Sequence, residues 1–156
     1  MKTASELAAL LRQRTWDKDV VLWVGSESAL IEVLGQTPRG ILDLLDLFDE
    51  GNLPMDDADT REQLTTAIRE RLHAMPTGPA GRAVLIVKSV GLLARYNVGT
   101  REFYEWFCGD FSMVVLVLDS VPENAGWPEE VICDADRLLG YFEEPHVVKH
   151  VFGAKG

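Results

Sequence analysis

The chain has 156 residues, a formal net charge of −10 and an apolar fraction of 47%, the profile of one folded domain rather than a disordered chain. No apolar run approaches the roughly 20 residues that cross a bilayer, and the opening segment has no signal-peptide core, so a cytoplasmic protein without membrane contact is expected. An acidic domain repels phosphates at long range, and its basic residues (Arg12, Arg14, Lys18, Arg39, Arg69, Arg71, Arg82, Lys88, Arg95, Arg101) form no stripe, which disfavours direct DNA or RNA binding.

The spacing of Leu7, Leu10 and Leu11 predicts a helix over 3–14, with Thr3 or Ser5 as its cap. Asp19-Val-Val-Leu-Trp-Val-Gly25 is an unbroken apolar run of the kind buried on both faces of a parallel sheet. The helix that follows runs from about Ser28 to Leu34 and stops at Gly35. Residues 39–50 are ambiguous. Ile41, Leu44, Leu45 and Phe48 share a helical face with Asp43, Asp46, Asp49 and Glu50 opposite, which favours a helix, while 41–47 as a strand is the alternative. Asp59-Thr-Arg-Glu62 resembles a capping box with Asp59 as cap, opening a helix to about His73 that packs Leu64, Ile68 and Leu72. Residues 75–82 are a breaker-rich loop.

The second half alternates more plainly. Ala83–Val87 is a buried strand, Thr100 caps a helix to Cys108 with Phe103, Trp106 and Phe107 inward, and Ser112–Leu118 is another buried strand. A loop over 121–128 carries Trp127; Val131–Cys133 is a short strand, and Asp134 caps a helix to Glu143. Val147–Phe152 is the last strand. Strands alternating with helices predict a single α/β domain over 1–156, three-layered, with a mainly parallel sheet of about five strands.

The strand–Gly–helix step at Gly25 is where nucleotide-binding α/β proteins place a phosphate cradle. A working loop needs a second glycine, a lysine for the β- and γ-phosphates and a hydroxyl for Mg²⁺. Counted from Gly25, those positions hold Leu30, Ile31 and Glu32, and Glu27 adds a carboxylate that repels a triphosphate. The partner strand, expected to end in an acid, ends in Lys88-Ser89. A nucleotide hydrolase is therefore disfavoured. In the plain structural reading Gly25 only turns the chain, Ser28 caps the helix and Glu27 complements its dipole. In the functional one, Gly25, Ser26 and Ser28 form an open helix N-terminus for a small ligand or partner group.

The order of the Val20–Gly25 strand, a helical middle, the Val84–Val87 strand, Val90-Gly-Leu-Leu93 and the Met113–Leu118 strand resembles a reduced AAA-like P-loop core over about residues 18–120. More narrowly it is similar to the small P-loop-like subunits of bacterial BREX phage-defence systems. The resemblance implies a P-loop-like architecture without Walker motifs and a non-catalytic member of a defence assembly. The family's nucleotide-binding residues do not carry over, because Leu30, Ile31, Glu32 and Lys88 depart from them.

Other constellations are weaker. Ser26 and Ser28 lack a Gly-x-Ser-x-Gly frame. His146 and His150 share a strand face but stand about 13 Å apart, too far for easy shared ligation. Cys108 and Cys133 show no metal spacing. The acidic stretch from Asp43 to Glu62 is a solvated face, a docking surface for a basic partner or a mimic of nucleic-acid charge. Trp127, among Gly126 and Pro128, is a loop anchor or a binding hot spot. The sequence thus points to a non-catalytic subunit or adaptor using Asp43, Asp46, Asp49 and Trp127 for protein contacts, with no metal or cofactor; a second copy of the chain is another partner to consider. The alternative is a nucleotide or small-ligand module at Gly25–Ser28 that does not hydrolyse its ligand. A hydrolase pairing Ser26 or Ser28 with a histidine ranks last.

Overall fold

The computed structural model describes residues 2–13, 19–47, 57–74, 83–105, 111–118 and 150–153. In chain order these form β1 (Lys2–Thr3), α1 (Ala4–Gln13), β2 (Asp19–Val24), α2 (Glu27–Leu34) and β3 (Arg39–Asp43). A 3-10 turn (Leu44–Leu47) leads on, followed by α3 (Asp57–Ala74), β4 (Ala83–Lys88), α4 (Gly91–Arg95), α5 (Arg101–Glu105), β5 (Phe111–Leu118) and β6 (His150–Gly153). The segments 75–82 and 119–149, with Trp127 and the strand and helix expected around 131–143, lie outside the described residues.

The six strands among the described residues pair in parallel in one sheet, ordered β1-β6-β2-β5-β4-β3. The α/β class and the parallel sheet are as the sequence predicts. Two of these strands, β1 and β3, are not among those the sequence favours; the two residues of β1 pair with β6 at Lys2↔Phe152 and Thr3↔Gly153. So short a strand carries no alternation to recognise.

The three central strands explain why the sequence reads so clearly there. Val20–Trp23, Ala83–Val87 and Met113–Leu118 are buried on both faces, so each is an almost continuous apolar run. On one face Val21, Trp23, Val84, Ile86, Val115 and Val117 pack with Leu7 and Leu11 of α1 and Leu30 and Leu34 of α2. On the other, Val20, Leu22, Leu85, Val87, Val114 and Leu116 pack with Leu64, Ile68 and Leu72 of α3, with α4 and with Phe103 of α5. The connections running toward β3 thus carry their helices on one face, and the described ones running back carry theirs on the other. Crossovers of a single hand produce that division. The result is a three-layer sandwich.

Local signals set the helix ends. Thr3 closes the N-terminus of α1 by a capping box: its hydroxyl accepts the Glu6 amide at 3.2 Å, while the Thr3 amide donates to the Glu6 carboxylate at 3.4 Å. Of the two caps the sequence offered, Thr3 is the one used. Gly35 ends α2 with φ 56° and ψ −117°, a conformation that favours glycine. The Arg39 guanidinium donates to the Gly35 carbonyl at 2.9 Å, placing positive charge at the negative end of the helix.

Three expectations need correction. Residues 39–43 are the edge strand β3, not the start of a helix; Arg39↔Val84 through Asp43↔Lys88 are paired in register. The helical face drawn through Ile41 and Leu44 is split, since Ile41 is 50% exposed and Leu44 is buried, while Leu42, off that face, goes inward. Backbone pairing to β4 has overridden a 3.6-residue pattern that five residues cannot enforce. Second, α3 begins at Asp57, so Asp59 lies within the first turn rather than capping it. Third, the cap of α2 is Ser26, whose hydroxyl accepts the Ala29 amide at 3.2 Å; Ser28 sits exposed within the first turn.

Candidate functional site

The chain leaves the carboxyl ends of the neighbouring strands β2 and β5 in opposite directions, toward β3 at one edge and toward β6 on the other side. In open α/β sheets, ligands bind in the crevice outside such a switch point. Gly25 stands there, and its amide donates to the Leu118 carbonyl at 2.9 Å, closing the end of the β2–β5 ladder.

The turn at this point is only two residues long. Val24 ends β2 and Glu27 starts α2, leaving Gly25 and Ser26 between them. The Ser26 carbonyl accepts both the Leu30 amide at 3.2 Å and the indole N–H of buried Trp23 at 3.0 Å. The turn is therefore bonded from the helix above and from the core below. Leu30, at the position of a phosphate loop's second glycine, is fully buried against the sheet, and Ile31, at the lysine position, points outward at 37% exposure. Both belong to the helix, so no loop is present that could wrap a phosphate chain.

Glu27 and Lys88, read separately from sequence as two failures of the nucleotide pattern, meet. The Lys88 ammonium lies 2.9 Å from the Glu27 carboxylate, and their side chains are 30% and 18% exposed. Because β5 separates β2 from β4, this pair bridges the end of the intervening strand. The carboxylate sits at the positive end of α2, where an anion is favoured, and it is part of the protein itself. Next to it, Ser89 adopts φ 63°, a left-handed conformation uncommon for serine. Its hydroxyl donates to the Asp43 carboxylate at 2.5 Å, tying the ends of β3 and β4 together.

The remaining predicted site residues are dispersed. Gly25 and Ser26 form the two-residue turn, and Ser28 is the second residue of α2. Asp43 is half-buried at the end of β3, and Asp46 is exposed on the 3-10 turn. Asp49 and Trp127 lie outside the described residues. Neither described histidine approaches the two serines. His150 pairs beside Val21, five residues of strand below Ser26 or about 16 Å, and its ring nitrogen is 2.8 Å from the Lys2 ammonium. His73 is exposed near the end of α3, a helix on the opposite face of the sheet from α2.

Two further features escaped the sequence reading. Glu102, only 7% exposed at the start of α5, receives a bidentate contact from Arg69 of α3 at 3.1 and 3.0 Å. An open hollow beside it is lined by Arg61, Glu62, Thr65, Thr66 and Arg69; with Arg69 committed to Glu102 and Glu62 in its wall, it offers no concentrated positive charge for an anion. Among the described residues no group of His, Cys, Asp and Glu is placed to hold a metal ion, and no helix is long and apolar enough to cross a membrane. No protein-family model matches the chain, and neither a curated protein nor a solved structure does.

Proposed function

We propose that this chain is a non-catalytic, P-loop-like subunit or adaptor of a multi-protein assembly and that it acts through protein contacts. The observation that carries the reading is the Glu27–Lys88 pair over a two-residue turn. The switch point of the sheet is kept, and an internal ion pair stands where a bound anion would be held.

The strand order is compatible with the P-loop-like part. In the two common doubly wound orders the first and second strands lie side by side. Here β3 is separated from β2 by β5 and β4. Counted from β2, the order is 5-1-4-3-2, which is neither of those two. The similarity to small BREX subunits gives the proposal its setting, an assembly of bacterial phage defence. The net charge of −10 and the exposed Asp46 favour a basic-surfaced protein partner over nucleic acid. The two-residue turn weighs against the ligand-module alternative, and the separation of the described histidines from Ser26 and Ser28 weighs against a hydrolase.

The test is co-expression with the products of the genes beside it, followed by size-exclusion chromatography at physiological salt. The wild type and Ser28→Trp, an exposed position, are both expected to elute in a stable complex. Elution of the wild type alone overturns the proposal.

A further inference from the structure

β3 is the terminal strand of the sheet, and no described strand pairs with its outer side. The amide of Val84 donates to the Pro38 carbonyl at 2.9 Å, which fixes the phase of the β3–β4 ladder. In a parallel ladder with that phase, Gly40 and Leu42 turn their backbone groups toward β4, whereas Arg39 and Ile41 turn theirs outward. The centre of this edge is apolar. Ile41 and Ile31 are the exposed large hydrophobics among the described residues, at 50% and 37%. They belong to one face: Arg39 and Ile41 are in register with Val84 and Ile86, which pack under α1 and α2. Arg39 reaches from the strand to the end of α2, with a guanidinium nitrogen 3.5 Å from the Ile31 carbonyl.

Natural sheets guard their edges with charges, prolines or bulges. This one places isoleucine at mid-strand and its charges at the margins: Arg39 at the strand start, its guanidinium turned onto the Gly35 carbonyl, Glu32 beside Ile31, and Asp43 and Asp46 at and beyond the strand end. With the Arg39 guanidinium occupied by the carbonyls at the end of α2, the carboxylates of Glu32, Asp43 and Asp46 outnumber it, and an apolar centre with a mainly acidic rim selects its occupant by charge. A second copy of a chain carrying −10 brings the same acidic rim against itself, whereas a basic segment is attracted.

We propose that the β3 edge docks an extended, basic segment of a partner protein, which adds to the sheet as a further strand. Its backbone pairs with the outward N–H and C=O groups of Arg39 and Ile41. Its alternate side chains place an apolar residue against Ile41 and Ile31 and basic residues toward Glu32 and Asp46. The inference rests on the adaptor reading and names the surface that reading uses.

The probe is a capped peptide alternating lysine and valine, with a glutamate–valine peptide as control, and the readout is amide hydrogen exchange by NMR. Saturating basic peptide is expected to slow exchange at the Ile41 amide about tenfold, the acidic peptide to leave it unchanged, and Ile41→Lys to abolish the effect. Ile41 is half exposed, so that variant keeps its fold, which unchanged protection in β4 and β5 verifies. Unchanged exchange at Ile41, equal effects of the two peptides, or protection that grows with protein concentration alone each overturn the inference; the last assigns the edge to a second copy. If Ile41→Lys still elutes in the complex of the previous section, the edge assignment falls and the adaptor reading stands. If no complex forms with wild type, the adaptor reading falls on its own.

Discussion

Glu27 without Lys88 is a mostly buried carboxylate at the sheet end, and Lys88 without Glu27 loses the carboxylate 2.9 Å from its ammonium. Together they neutralise each other at 2.9 Å while Glu27 also complements the α2 dipole. Exposed pairs contribute a few tenths to about 1 kcal/mol. With side chains only 18% and 30% exposed, this one belongs at the upper end. A double-mutant cycle with Glu27→Gln and Lys88→Met, followed by urea unfolding, is expected to give a coupling of about 1 kcal/mol. Additive single effects contradict the pairing. Neither residue announced the other in the sequence. They are 61 positions apart, and their meeting depends on which strands the fold places between them. What the sequence did show was each departure from the nucleotide pattern, because that pattern is local. Trp23 gives the same lesson on a smaller scale: its burial follows from the apolar run, but its bond to the Ser26 carbonyl follows only from the tightness of the turn.

Elements with a strong local signal were legible, and those defined by their neighbours were not. The central strands and the buried stripe Leu64, Ile68, Leu72 of α3 announce themselves by periodicity. β3 does not: the run Ile41, Leu44, Leu45 and Asp43, Asp46 that continues past its end imitates a helix, and only pairing with β4 makes 39–43 a strand. Glu102 was invisible for a related reason. A carboxylate in the first turn of a helix reads as dipole compensation, yet here it is buried and anchored by Arg69, joining α5 to α3. Removing one partner of such a pair leaves a buried charge uncompensated. Arg69→Met is expected to cost about 2 kcal/mol in urea unfolding, below the fully buried figure of about 3–5 kcal/mol, because the Arg69 side chain is 42% exposed. Glu102→Gln, which keeps a neutral acceptor for the guanidinium, is expected to cost less. Equal losses for both, or none for Arg69→Met, contradict the joining role.

At the scale of the molecule, the class and the parallel sheet follow from alternating strand and helix patterns. The strand order does not, because no local signal tells β2 to leave its successor at the far edge. That order is what brings the Gly25 turn to a switch point, and the chain has used the position for internal bonding: Gly25 to Leu118, Ser26 to Trp23 and Leu30, Glu27 to Lys88. On the proposed adaptor reading function falls to the surface, and Asp46, Glu32 and the apolar β3 edge are the places where a partner would gain contact area.

The central claim, that the turn at the switch point holds no nucleotide, is tested most directly by titrating the wild-type chain with Mg-ATP and Mg-GTP in a calorimeter. The account predicts heats of dilution only, up to millimolar nucleotide. Saturable one-to-one binding that Ser28→Trp abolishes contradicts it.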